Sequence, residues 1–228
     1  MDVLKTNSLF SLESYRWRDL FDGCEFPWQA LERIADYLKM KRLTGIEVEV
    51  PKGVILEKSE WIFIEKGTRI EAGACIVGPC LIGAGCTIRH GAYLRENVIL
   101  GERCVIGHST EVRGSIFLDG VRAAHFNYVG DSILGNGVNL GAGAVCANLR
   151  LDRKEVCIKT KGVFVNTHLK KLGAIMGDGV QIGCNCVTNP GTLMGQGVVC
   201  HPCLNVGGYV PVGSVVRSCH LPIIEREK

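Results

Sequence analysis

The sequence predicts an all-β solenoid: a parallel β-helix of hexapeptide repeats with a small N-terminal helical cap. Three observations carry this. Steps of six from Ile64 give Ile70, Ile76, Ile82, Ile88, Leu94, Leu100, Ile106, Val112 and Leu118, an aliphatic series without a miss. Four residues after each of the first nine stands a column that is nearly all small: Thr68, Ala74, Cys80, Cys86, Ala92, Val98, Cys104, Thr110, Ile116. Glycine supplies 29 of the 228 residues, well above a usual share of about 7%. A period of six fits neither an amphipathic helix nor an ordinary meander. It fits short strands joined by tight turns. Each small residue lies two positions before the next lead residue, so the two share a strand face. Stacked repeats of this kind bury one another's faces.

The elements follow in chain order. Residues 1–45 read as a helical segment that covers the solenoid's first open edge. Pro27 opens a stretch with apolar residues at Leu31, Ile34, Ala35 and Leu38, which is helical spacing with proline in the first turn. An earlier helix is expected from Leu12 to Phe21. Residues 46–218 form the β-helix. Its C-terminal part runs in a second register: Met176, Ile182, Thr188, Met194, Cys200, Val206, Val212. A middle run, Tyr128, Leu134, Leu140 and Cys146, shares that register, which puts the break between Leu118 and Tyr128. Residues 147–162 are polar and off the pattern, a projecting loop or irregular coil. Residues 219–228 are read as a tail.

Composition bounds the function. Net charge is +3, too small to suggest a nucleic-acid partner. No apolar run approaches the roughly 18 residues of a membrane span. The N-terminus lacks the pattern of a signal peptide, so a cytoplasmic protein with reduced thiols is expected. The 12 cysteines then need another explanation. Cys80, Cys86, Cys104 and Cys186 fall in the small inward column and Cys200 on a lead position, where cysteine acts as a small hydrophobe. Cys184-Asn-Cys186 and Cys200-His-Pro-Cys203 approach metal-ligand spacing, but neither has the partner pair a zinc site wants. Core packing is the reading taken. His90 and His108 lie eighteen apart, one coil above the other. A third histidine in the right relation is missing from the repeat positions. The sequence suggests no partner for His168, His201 or His220.

His125 stands apart, in the register break. Residues 123–148 read AAHFNYVGDSILGNGVNLGAGAVCAN. In its order of His, Tyr, Gly-Asp, Asn, Gly-Ala-Gly and Asn, this span resembles the acetyltransferase domain of the bifunctional bacterial enzymes that make UDP-N-acetylglucosamine. They belong to the hexapeptide-repeat acyltransferases. The resemblance covers about residues 89–168 and implies a left-handed β-helix, which spacing does not show. It implies acetyl transfer from acetyl-CoA to the amine of a hexosamine 1-phosphate or related sugar. His125 would be the general base, its unperturbed pKa near 6.5 suiting that task. Donors near Asn148 and the Gly-Ala-Gly turn would stabilise the oxyanion.

The same resemblance assigns sugar contacts to Tyr128 and Asn139. Phosphate contacts fall on Arg89, in Arg-His-Gly-Ala, and on Arg113, where the family has lysine. Glu111 and Lys154 match a family glutamate and lysine. Ala142 and Gly143 would meet acetyl-CoA, with Thr167 in place of a family serine near the thioester. No metal is required for acyl transfer. A homotrimer is implied, with sites between subunits.

The sequence departs from the family in two places. The family's Asn-Tyr-Asp-Gly is Asn148-Leu149-Arg150-Leu151 here, and residues 1–45 are too short for its uridylyltransferase domain. Residues 171–191 also resemble the C-terminal hexapeptide domain of sugar-1-phosphate nucleotidyltransferases. Two alternatives stay open. One is a non-catalytic module partnering a separate nucleotidyltransferase. The other is a metal-dependent enzyme of the carbonic anhydrase type using His90 and His108.

Overall fold

In the computed structural model, residues 2–41, 45–160 and 162–218 are described. The predicted tail at 219–228, His220 included, lies outside the described residues. The chain winds into a parallel β-solenoid with three walls of nine, eight and eight strands. Each coil runs through wall 1 (as at Ile62–Ile64), wall 2 (Arg69–Ile70) and wall 3 (Cys75–Val77), then returns to wall 1 at Cys80–Ile82. All pairings between coils are parallel, for example Ile64 with Ile82 and Ile82 with Leu100. The lead residues from Ile64 to Val112 and the cysteines at 80, 86, 104, 186 and 200 line one continuous core. Burial pushes the Cys146 and Cys200 thiols up to about 11, so they pack as neutral groups. The 11 described cysteines are all free thiols.

The structure corrects the register break. Coils have 18 residues up to Val112, which pairs with Leu94. Leu100 then pairs with Phe117, and Phe117 with Leu134. Phe117 therefore takes the inward place expected for Leu118, and Val129 takes that of Tyr128. Two stacked corners, Val112 to Phe117 and Val129 to Leu134, are one residue short. Buried serines close them. Ser115 Oγ donates to Arg113 O at 2.7 Å and accepts from Ser132 N–H at 3.0 Å. Ser132 Oγ donates to Gly130 O at 2.8 Å and accepts from Ala174 N–H at 3.0 Å. A further shortening follows Val206. Met194 pairs with Val210, so Val210 is buried and Val212 is exposed.

The N-terminal segment lies along the side of the solenoid, not over its first edge. Leu4, Phe10, Tyr15, Trp17, Trp28 and Ile34 are buried with Phe63, Leu81, Ile99, Ile133, Ile175 and Leu193, which point outward from wall 1. Wall 1 strands such as IFI, CLI and VIL are buried at every residue, as expected of strands covered on both faces. Ser11 N–H donates to Asp178 Oδ2 at 2.8 Å, and Arg16 pairs with Glu65. The segment holds a short helix α1 (Thr6–Leu9) and a longer α2 (Trp28–Lys41). Pro27 immediately precedes α2, as its spacing predicts. The expected Leu12–Phe21 helix shrinks to a 3-10 turn at Arg18–Phe21. At 147–162 the expected irregular loop contains half of an antiparallel hairpin, Cys157–Thr160 with Val163–Asn166.

Candidate functional site

The corner between walls 2 and 3 presents His125. Its strand, Arg122–His125, pairs with Val105–His108, which sets His125 one rung above His108. The shortened coil hides this in the sequence: the histidine column His90, His108, His125 does continue, at a spacing of seventeen. His90 and His108 stack with centroids 5.5 Å apart. Each Nδ1–H meets a backbone carbonyl, Ala72 O at 2.7 Å and His90 O at 2.9 Å. Phe126, in the left-handed region at φ 53, puts its ring edge-on to His108 at 5.2 Å. His125 itself is exposed. Its backbone is pinned by buried Asn127, whose Oδ1 accepts from His125 N–H at 3.2 Å while its Nδ2 donates to Gly141 O at 2.7 Å. Sequence reasoning missed Asn127. Its place, two residues after the histidine at a tight corner, was the available signal.

The Gly141-Ala142-Gly143 turn lies directly above His125. Gly143 N–H donates to His125 O at 3.0 Å, Gly141 N–H to Ile182 O at 2.7 Å and Ala144 N–H to Gly141 O at 3.2 Å. The Ala142 N–H has no backbone partner among the described residues. It is therefore the turn's available donor beside His125. Gly143, whose N–H is spent on His125, serves as backbone.

Wall 3 gathers a second group. Glu111 pairs in register with Tyr128, and Arg113 with Gly130. The Tyr128 hydroxyl donates to Asn148 Oδ1 at 3.5 Å, and Asn148 Nδ2 donates to Asp131 Oδ2. Gly130 has no side chain because one would strike both Asn148 Nδ2 and the Tyr128 hydroxyl. Asn148 is buried and sits at the far edge of this wall from His125. It orients Tyr128 and Asp131 rather than reaching the His125 corner. Glu111 Oε1 accepts from Arg95 at 3.0 Å. Arg95 was missed, though it stands eighteen residues before Arg113.

The remaining predicted residues are placed elsewhere. Asn139 pairs with Arg122 and Gln181 on wall 2. Arg89 continues the wall 2 strand Thr87–Ile88, donating from its N–H to Ile106 O, so it does not stand beside Arg113. Thr167 is buried, with its hydroxyl given to Val156 O at 2.7 Å; it holds the base of the hairpin excursion. Lys154 is exposed in that excursion. Among the described residues, no group of three or more His, Cys, Asp or Glu side chains is placed to hold a metal. No described helix is long and apolar enough to cross a membrane.

Comparison with known proteins places the chain among hexapeptide-repeat folds. The family described as the GMPPB C-terminal domain matches residues 76–169. A bifunctional sugar-1-phosphate nucleotidylyltransferase/acetyltransferase of Sulfurisphaera tokodaii is 42% identical over 87 residues, 38% of this chain and 22% of that protein. The bifunctional protein GlmU of Methanococcus aeolicus is 33% identical over 197 residues, 86% of this chain and 46% of that protein. The chain thus spans less than half the length of these two relatives. Among solved structures, a UDP-N-acetylglucosamine acyltransferase from Campylobacter jejuni shares the fold, with a TM-score of 0.51 at 14% identity over 71% of this chain and 68% of that one. The chain is a hexapeptide-repeat β-solenoid that resembles, in sequence, the bifunctional nucleotidyltransferase/acetyltransferases and, in fold, a sugar-nucleotide acyltransferase.

Proposed function

We propose that the protein is an acyltransferase that moves an acetyl group from acetyl-CoA to the amine of a hexosamine 1-phosphate or a related sugar. The supporting observation is the His125 corner, where an exposed imidazole lies beside an unpartnered backbone N–H at Ala142. In the reaction the amine nitrogen attacks the thioester carbonyl. His125 takes the amine proton, the nitrogen–carbon bond forms, and the carbon–sulfur bond breaks. The departing thiolate of coenzyme A takes a proton. The Ala142 N–H, which has no backbone partner among the described residues, would stabilise the oxyanion between these steps. Tyr128, held by Asn148, and Arg113 line the wall on which the sugar phosphate would rest.

Walls 2 and 3 face away from each other, and candidates stand on both. A homotrimer would bring wall 2 of one copy against wall 3 of the next, so Asn139 and Tyr128 of different copies would share a groove. Light scattering tests this: a mass of three chains is expected, and a monomer would remove the shared groove. A cytoplasmic location fits this chemistry, since acetyl-CoA and sugar phosphates are intracellular metabolites.

Turnover of acetyl-CoA with glucosamine 1-phosphate, by wild type and His125→Ala, tests the reaction. A general base contributes about 10²–10⁴-fold, and a loss of that order is expected. Equal turnover by both proteins would sink the role of His125. A second reading is favoured by Asn148-Leu149-Arg150-Leu151 and by the match to a domain described as C-terminal. It makes the chain a non-catalytic module for a separate sugar-1-phosphate nucleotidyltransferase. Absence of turnover by the wild type would favour it.

A further inference from the structure

The corner between walls 3 and 1 contains a cavity in which Arg113 and Asp131, both within the matched span, meet Glu32 and Lys171, to which the resemblance assigns no role. Helix α2 passes over this corner, and the two enclose about 180 Å³. That is the volume of about six liquid waters, room for a phosphate and the sugar atoms next to it. Its lining comes from three places in the chain: Glu32 from α2, Glu96, Arg113 and Asp131 from three successive coils, and Lys171 from the segment after the hairpin.

The charges in this cavity are not equally free. Glu96 is paired with Lys58 at 3.3 Å. Asp131 spends Oδ2 on Asn148. Its Oδ1 lies over Gly114, where a Cβ would come within 2.7 Å of it. Gly114, at φ 52, therefore leaves room for a carboxylate oxygen facing the recess. Arg113 and Lys171 form no salt bridge and no side-chain hydrogen bond among the described residues, and neither does Glu32. The recess thus offers two uncommitted cations and two carboxylate acceptors. Two cations suit a phosphate. Carboxylate oxygens beside them suit hydroxyl donors. One ligand carries both: a phosphorylated sugar.

We propose that Lys171, Glu32 and Asp131 extend the acceptor site into this recess, Lys171 joining Arg113, whose phosphate contact the resemblance implies, and Glu32 and Asp131 taking sugar hydroxyls. Helix α2 is then a fourth wall of the site, and Glu32 and Lys171 set acceptor specificity. The inference rests on the proposed sugar-phosphate substrate, but its test reads binding and not turnover.

Calorimetry on the full chain would compare glucosamine 1-phosphate, glucosamine and inorganic phosphate. The variants are Lys171→Met and Glu32→Gln, both at exposed positions, where folding is little disturbed. Each variant is expected to weaken glucosamine 1-phosphate about tenfold, the worth of one charge-assisted hydrogen bond. Only Lys171→Met is expected to weaken inorganic phosphate. Acetyl-CoA affinity is expected to stay unchanged in both. Wild-type affinity for glucosamine 1-phosphate in both variants overturns the inference, even if the wild type transfers acetyl groups. Weakened binding without any acetyl transfer by the wild type keeps the recess and removes the proposed reaction. No binding of glucosamine 1-phosphate by the wild type overturns the recess as its site.

Discussion

The lower coils, from Ile64 to Val112, and the coils above them share one inner column yet differ at a single corner. Below, six residues separate successive lead positions, and the turn from wall 3 to wall 1 is filled by pairs such as Glu96-Asn97. Above, five residues make the same turn at Gly114-Ser115 and again at Asp131-Ser132. The hairpin excursion leaves the solenoid at the same corner one coil later. The core hardly registers the change, since Phe117, Val129 and Leu134 are all fully buried. The surface registers it strongly. Arg113, Tyr128, Asp131 and Asn148 come together where the coil loses a residue, while the regular coils below present mostly paired surface charges. A repeat fold stacks like on like, so a site that needs unlike groups side by side forms where the stacking changes phase.

Phe117 offers the most severe test. It fills the inward place created by the first short corner. Phe117→Ala is expected to cost about 3–5 kcal/mol in urea unfolding. If Leu118 occupied that place, as a strict six-residue step implies, Phe117→Ala would cost little, and the short corner would be wrong.

Two buried hydroxyls separate stability from function. Thr68, in a regular coil, donates to Gly83 O at 2.9 Å and accepts from Cys86 N–H at 3.0 Å. Ser132 plays the same part at the short corner. Thr68→Ala and Ser132→Ala each strand buried backbone groups, at about 1–3 kcal/mol apiece. Similar losses are expected in unfolding. Only Ser132→Ala is expected to weaken glucosamine 1-phosphate binding, because Ser132 supports Gly130 and the Asp131 carboxylate next to it. Equal affinity in both variants would show that the corner's geometry does not reach the site.

The core thiols give a smaller effect, and pH reads it. The Cys146 pKa rises from 9.0 to about 11 in the folded chain because burial penalises the thiolate. Unfolded chains lose that proton first as pH rises. Stability is therefore complete below about pH 9 and declines as pH climbs from 9 towards 11. Cys146→Ala is expected to reduce this decline. An unchanged slope of unfolding free energy against pH would place the ionisation elsewhere. Exposed Cys184 and Cys203 are expected to react with alkylating reagents in the native state, well before Cys146.

Much of the core was legible in the sequence, because an inward column repeats and any lapse would be buried. Helix α2 was legible from its spacing after Pro27. The short corners were not, and the reason is chemical coincidence. Leu118 is apolar because it packs under the N-terminal segment, so the six-residue series ran through it unbroken. The outer column of wall 1, Phe63, Leu81 and Ile99, was readable at a spacing of eighteen and would have shown that this wall is covered on both sides. His125, Tyr128 and Asn148 were picked out as candidates by their order in the sequence. Arg95 was not, because a motif match follows sequence distance, whereas a wall follows the coil. The last coil gives the finest test of this lesson. The six-residue step assigns Val212 to the core, but pairing of Met194 with Val210 puts Val212 at 61% exposure. Val212→Ser is expected to change stability within about 0.5 kcal/mol, as an exposed site does. Val210→Ser, which buries a hydroxyl in the apolar core, is expected to cost about 1–3 kcal/mol. If the two costs were reversed, the solenoid would keep its six-residue step to the end, and shortened corners would belong to the His125 region alone.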